Sequence, residues 1–226
     1  MKQTETRNFI FMNDKLNISE LYLSIQGEGT RVGEPCVIVR LAGCNLECVW
    51  CDTPQSRETK SEMTIAEIID FCTESGLNQV LVTGGEPLIQ DNTPLLLSRL
   101  VDSGFEIILE TNGSFTLEGL PSEVVIILDY KCSGSGMSQR MDRSNIDLLK
   151  KSDEMKFVLL DDRDFTEALE IVQERNLCDK TSVLFSPVFG EMDPSRLAEM
   201  ILETRLPIRL NLQVHKYIWG QDSGGH

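Results

Sequence analysis

Val124-Val125-Ile126-Ile127-Leu128-Asp129 is apolar at every position up to its closing acid. A strand with one wet face alternates apolar and polar side chains, so an unbroken run of this kind belongs to a strand covered on both faces, as in a parallel sheet. Working outward, similar short runs recur at residues 21–24, 37–41, 80–83, 106–110, 155–160, 182–186 and 208–214. Helical signals fall between them. Thr64 and Glu67 spell a capping box ahead of Ile65, Ile68, Ile69 and Phe71. Thr93-Pro94 and Asp193-Pro194 each offer an N-cap and a first-turn proline, for helices over 95–102 and 195–203. Ala168, Leu169 and Val172 stand at helical spacing within 165–175. Such alternation builds an α/β fold with right-handed crossovers. A full eight-fold barrel takes roughly 250 residues, so about five helical segments predict an incomplete, TIM-like barrel of mostly parallel strands with outer helices. Chemistry in such folds sits at the carboxyl ends of the strands.

At 226 residues, 41% of them apolar and 25% charged, the chain reads as one globular domain over 1–226. No apolar run approaches the roughly 20 residues of a membrane helix. Phe9-Ile10-Phe11-Met12 is too short for a signal-peptide core, which predicts a cytoplasmic protein away from membranes. Acids outnumber bases 36 to 21, for a net charge of −15, and a direct nucleic-acid binder needs the opposite balance.

Seven cysteines without an export signal do not suggest a disulfide framework. Cys36, Cys72, Cys132 and Cys178 are scattered and read as small buried hydrophobes. Cys44-Asn-Leu-Glu-Cys48-Val-Trp50-Cys51-Asp52 is different: three thiols in eight residues, just past the strand at 37–41 and a turn at Gly43. Three readings are open. The thiols pack independently; they bind zinc with a fourth ligand from elsewhere, where the only histidines are the remote His215 and His226; or they hold a four-iron cluster with one iron left for a small molecule.

Three further motifs stand at predicted strand ends. Thr83-Gly84-Gly85-Glu86-Pro87 is a glycine turn with an acid able to accept from an ammonium. Glu110-Thr-Asn-Gly113 and Lys131-Cys132-Ser133-Gly134-Ser135-Gly136 follow later strands. Upstream, Ile25-Gln26-Gly27-Glu28-Gly29 reads as a turn ahead of Arg40, whose planar guanidinium suits a carboxylate or a heterocycle edge.

The spacing C-x3-C-x2-C, with Trp50 before its last cysteine and Gly84-Gly85-Glu86-Pro87 about 35 residues on, resembles the radical S-adenosylmethionine (SAM) superfamily. The resemblance implies that Cys44, Cys48 and Cys51 ligate a [4Fe-4S] cluster. It also implies that Trp50, Cys51, Asp52, Gly85, Glu86, Glu110, Ser133, Gly134 and Ser135 bind SAM. Gln26-Gly27-Glu28-Gly29, Arg40, Thr53 and the late Leu212-Gln213-Val214-His215-Lys216 narrow it, over residues 19–219, to the 7-carboxy-7-deazaguanine synthase family. That family turns 6-carboxy-5,6,7,8-tetrahydropterin into 7-carboxy-7-deazaguanine with loss of ammonia, on the way to queuosine and other deazapurines. Carried over by position, Ile25, Gln26, Gly27, Arg40 and Thr83 would bind the pterin, and Thr53 a Mg²⁺ ion, a cation that prefers oxygen ligands. An external flavodoxin- or ferredoxin-like electron donor and a homodimer are implied as well. His215 is a candidate for substrate positioning or a packed strand-end histidine. The competing functions are an activase of glycyl-radical enzymes, which shares the three-cysteine spacing, a non-enzymatic iron–sulfur carrier, and a zinc-binding structural module.

Overall fold

A computed structural model describes residues 14–220. The stretch 9–12 and the tail from residue 221, His226 included, lie outside the described residues. Among the described residues there are nine strands: β1 (Lys15–Ile25), β2 (Pro35–Leu41), β3 (Ser61–Thr64), β4 (Gln79–Gly84), β5 (Glu106–Thr111), β6 (Val125–Tyr130), β7 (Glu154–Leu159), β8 (Ser182–Pro187) and β9 (Ile208–Leu210). Seven helices accompany them: α1 (Ile65–Ser75), α2 (Thr93–Asp102), α3 (Asn145–Leu148), α4 (Asp162–Glu174), α5 (Leu177–Lys180), α6 (Pro194–Thr204) and α7 (Val214–Trp219). The strands form one sheet in the order β3-β1-β2-β4-β5-β6-β7-β8-β9. β1 is antiparallel to both its neighbours, and every pairing from β2 through β9 is parallel. The order does not close on itself, so the fold is an open, partial barrel, as the alternation predicted.

Its two faces are built from alternate residues of the same strands. Val80, Val82, Ile107, Leu109, Ile126, Leu128, Met155 and Phe157 join the outer core with α1, α2, α4 and α6. Their in-between neighbours Ile38, Leu81, Ile108 and Ile127 pack with Cys36, Tyr22 and Val125 into a second apolar cluster on the inner face. The run at 124–128 is therefore apolar throughout because each face has its own apolar layer.

Local signals explain the helices. Thr64 and Glu67 make the predicted capping box, each bonding the other's backbone N–H. Asp193 caps α6 through Ser195 N–H, with Pro194 in the first turn. Thr93 departs from the reading: it lies inside α2 rather than capping it, and its buried hydroxyl donates to Pro87 O at 2.6 Å. The strand expected over 208–214 ends at Leu210. Asn211 Nδ2 donates to Ser186 Oγ at 2.8 Å and its Oδ1 accepts from Gly29 N–H at 2.8 Å, so the chain swings toward the β1–β2 turn and Val214 opens α7. The sequence reading had no β3, a four-residue edge strand without an apolar run that pairs only with β1. Among the described residues no helix is long and apolar enough to cross a membrane.

Candidate active site

One pleat beyond the inner apolar cluster, toward the carboxyl ends, the chemistry of the sheet changes abruptly. Ile38, Leu81, Ile108 and Ile127 are followed two residues later by Arg40, Thr83, Glu110 and Asp129, and Lys156 joins them from β7. Arg40 stands beside Thr83 in register, and Asp129 beside Lys156. Period-two geometry thus places a polar layer on an apolar floor. Arg40 is held by Glu20 Oε2 at 2.8 Å and by the Tyr22 hydroxyl at 3.4 Å. The Lys156 ammonium meets Glu28 Oε2 at 2.9 Å, Asp129 Oδ2 at 3.1 Å and Glu110 Oε1. Thr83 Oγ1 donates to Glu110 Oε2 at 3.2 Å, and Lys131 pairs with Asp129 Oδ1 at 2.9 Å. Burial would lower the Lys156 ammonium, yet the surrounding Asp129, Glu110 and Glu28 hold it well above 10.5. Burial likewise pushes the Glu28 carboxyl up, and Lys156 more than reverses this, leaving it below its ordinary value.

The cysteine loop leaves β2 at this same end. Ser56 O accepts from Gly43 N–H at 2.9 Å, Gly43 O from Glu86 N–H at 2.9 Å, and Ser135 O from Val49 N–H at 3.1 Å. Arg57 bonds Leu46 O at 3.0 Å, and Leu46 is buried. Gly85 is where the turn after β4 touches this loop: a Cβ there would lie 2.4 Å from Gly43 O and 2.5 Å from Cys44 Cβ. Glu86 is fully buried, accepting from Leu88 N–H (2.9 Å), Asn112 N–H (2.7 Å) and Thr111 Oγ1 (2.8 Å), and so ties the turn to the end of β5.

Cys44, Cys48 and Cys51 are all free thiols. Burial pushes the Cys44 and Cys48 thiols above their ordinary value, which a metal offsets by favouring the thiolate. Tetrahedral zinc would draw thiolates to about 3.8 Å from one another, from its bond length of about 2.3 Å. Among the described residues, the group of three ligating side chains gathered within 4.8 Å is instead Cys132, Asp164 and Glu167. Those two carboxylates are taken up by backbone: Asp164 by Gly134 N–H (2.7 Å) and Leu160 N–H (3.0 Å), Glu167 by Ser133 N–H (2.9 Å). They fasten the Ser133–Ser135 turn to α4, and through Val49 that turn abuts the cysteine loop. Trp50, in the same loop, has a buried Nε1–H with no partner, and Lys131 lies 4.9 Å from its ring centre. Three free thiols on one pinned loop, beside an orphaned donor, fit a multi-iron cluster with a small polar ligand.

The turn after β1 forms the opposite wall. Ile25 ends β1 opposite Pro35, and Gln26 is buried, its N–H bonded to Glu34 O at 2.7 Å. Gly27 is pressed by the imidazole of His215: a Cβ there would stand 2.1 Å from Nδ1. Gly27 O accepts from Val214 N–H at 2.9 Å, and Gln213 Nε2 donates to both Glu28 Oε1 (2.7 Å) and Asp52 Oδ2 (2.8 Å). Lys216 meets Asp52 Oδ2 at 2.8 Å; the Asp52 side chain stays 45% exposed, and its partial desolvation is outweighed by Lys216, which holds the carboxyl below its usual range. Thr53 Oγ1 donates to Asp52 Oδ1 at 3.1 Å. Residues 211–216 thus bridge the open side of the barrel, from Glu28 to Asp52. A cavity of about 350 Å³, lined by Phe189, Met192, Asp193, Leu212, Gln213 and Tyr217, opens beside this bridge.

The sequence model of the Radical SAM superfamily matches residues 38–203. The 7-carboxy-7-deazaguanine synthase of Chlorobaculum tepidum is 40% identical over 93% of this chain and 97% of its own length. That of Clostridium acetobutylicum is 38% identical over 92% and 98%. The chain belongs to the radical SAM superfamily, in the 7-carboxy-7-deazaguanine synthase family. The crystal structure of QueE from Escherichia coli shares its fold, with a TM-score of 0.70 at 24% identity over 89% of this chain and 95% of the other.

Membership in a radical SAM family assigns a [4Fe-4S] cluster and SAM as cofactors. Sequence reasoning put Cys44, Cys48, Cys51, Trp50, Asp52, Thr53, Gly85, Arg40, Thr83 and Glu110 at or just past carboxyl strand ends, where they stand; the 25–27 turn follows β1 opposite the start of β2 and meets them through Glu28, Lys156 and Gln213. That reasoning gave no role to Lys156, Asp129, Asn211 or Gln213. The one available signal was Lys156 itself, a cation inside the apolar run Met155-Lys156-Phe157-Val158-Leu159, since a lysine there must find acids.

Proposed function

We propose that this chain is a single-domain 7-carboxy-7-deazaguanine synthase that converts 6-carboxy-5,6,7,8-tetrahydropterin into 7-carboxy-7-deazaguanine with loss of ammonia, in queuosine and deazapurine biosynthesis. The observation that carries the reading is a charged, water-shielded layer built on an apolar floor beside the cysteine loop, in a chain matching synthases over nearly its whole length. When bound, the cluster and SAM supply the reducing electron and the radical that removes hydrogen from the substrate. The protein's part is to bind, orient and exclude water. Cys44, Cys48 and Cys51 would hold the cluster. Trp50, Cys51, Asp52, Gly85, Glu86, Glu110 and Ser133–Ser135 would surround SAM, with Glu86 also fixing the turn through Asn112. Ile25, Gln26 and Gly27 would line one side of the pterin. Arg40, fixed by Glu20 and Tyr22, would meet its carboxylate, and Thr83 would add a polar contact. Thr53, next to the ionised Asp52, would contribute an oxygen to Mg²⁺ near the substrate. Holding substrate against cofactor in this way is catalysis by proximity.

A homodimer working in the cytoplasm with a flavodoxin- or ferredoxin-like donor completes the reading. The test is anaerobic reconstitution with iron and sulfide, followed by incubation with the carboxypterin, SAM, Mg²⁺ and dithionite. Deazaguanine product and ammonia in equal amounts are expected. Clean SAM cleavage with no deazaguanine would sink the synthase reading and leave an activase; zinc in place of iron would remove radical chemistry altogether.

A further inference from the structure

Lys156 lies mid-strand in β7 with its side chain 4% exposed. An ammonium has three donors, and here each meets a different carboxylate: Glu28 from the turn after β1, Glu110 from β5 and Asp129 from β6. Glu28 reaches it across the barrel, so one side chain ties the wall that carries Gly27 to the wall that carries Glu110. Folding alone does not call for this. The floor one pleat below is apolar, and exchanging a buried ion network for apolar side chains of similar volume is often neutral or stabilising. The charges are also unequal, three carboxylates to one ammonium, with Lys131 answering part of Asp129. The remaining negative charge lies in the polar layer above the apolar floor, where the N–H and O–H donors of ligands bound there would meet it.

We propose that Lys156 is a positioning residue that pins Glu28, on the pterin side, and Glu110, on the cofactor side, to a common point and thereby sets the separation of the two ligands. The inference rests on the synthase reading for which ligand lies on which side. Hydrogen transfer between two bound molecules is acutely sensitive to separation, and a displacement of 1 Å costs on the order of 100-fold in rate. A loosened Glu28 or Glu110 therefore shows first as uncoupling: SAM is cleaved, but its fragment leaves as free 5′-deoxyadenosine instead of serving turnover.

The test uses reconstituted wild type, Lys156→Met and Lys156→Arg. Two readouts are taken: free 5′-deoxyadenosine released per deazaguanine formed, and the pterin dissociation constant at equilibrium without reductant. Lys156→Met is expected to raise both by about tenfold or more, the loss expected when a charge-assisted contact goes, with wild-type iron content. Lys156→Arg keeps the charge, but its planar fork cannot address three radially placed carboxylates, so the ratio rises there too. It decides the matter alone should Lys156→Met fail to fold. Folded variants whose ratio and dissociation constant stay within about twofold of wild type overturn the role, because a merely structural lysine would lower yield without uncoupling. Wild type that makes no deazaguanine overturns the synthase reading first and this inference with it, whereas productive wild type beside unchanged variants overturns this inference alone.

Discussion

Gly85 and Cys44 approach each other so closely that neither backbone has room to adjust. A methyl at position 85 would lie 2.5 Å from Cys44 Cβ and 2.4 Å from Gly43 O, the one bonded directly to the backbone of the cluster loop and the other part of it, rather than the far ends of flexible side chains. Gly85→Ala is therefore expected to push Cys44 outward, at a cost of ~1–3 kcal/mol from overpacking. Iron content after reconstitution should fall well below wild type while far-UV circular dichroism is unchanged. Full iron loading in the variant would show that the loop is not set by this contact. At this scale the sequence was legible in part. A Gly-Gly turn announces close approach, but the sequence does not say whether ligand or protein does the approaching, and here Cys44 does. Glu86 reads from the sequence as an acceptor for an ammonium; what the sequence does not show is that its buried carboxylate also accepts from Thr111 and Asn112, donors that offset its desolvation.

The elements that were legible are those whose signal is local. Caps at Thr64 and Asp193 and continuous apolar runs in β4 and β6 form as the residues dictate. β3 and α7 were not legible, since each depends on partners remote in sequence: β3 on the start of β1, α7 on Gly27 and Asp52. α7 also carries a pH dependence. Burial lowers the His215 imidazole below 6.5, against the pull of Glu28 and with Lys216 adding to the lowering. A base depressed in the folded state contributes stability that is complete above its unfolded value and is lost as pH falls through 6.5 toward the folded value. Protonated His215 must leave its place against Gly27. Protection of the amides over 214–220, taken against the intrinsic exchange rate at each pH, is thus expected to fall between about pH 7 and about pH 5, before the sheet loosens. His215→Phe, neutral at every pH, should remove that step; a step that persists in the variant assigns it elsewhere.

Across the whole molecule the fold and the chemistry draw on different residues. The outer core runs from Leu16 to Ile208 and the inner cluster from Cys36 to Ile127, and neither includes a residue beyond 208. Yet Asn211, Gln213, His215 and Lys216 supply the bridge from Glu28 and Gly27 to Asp52, on the side where the sheet does not close. A chain ending at Leu210 should therefore keep its sheet and its cluster and lose its substrate. Removing the bridge takes away a few partly buried hydrogen bonds, of which a loss of ~2 kcal/mol lowers Tm by about 4–8 °C in a chain of this size. Iron loading should match the full-length protein, because Cys44, Cys48 and Cys51 are braced by Ser56, Gly85 and Ser135 rather than by the bridge. Deazaguanine formation should fall by at least 100-fold, the scale of a misplaced reactant, since Glu28 loses Asn211 and Gln213 and Asp52 loses Lys216. If the shortened chain cannot take up iron, the cluster loop depends on the bridge through Asp52 and the separation of core from site is wrong. If it still makes deazaguanine at a normal rate, the open side of the barrel needs no cover.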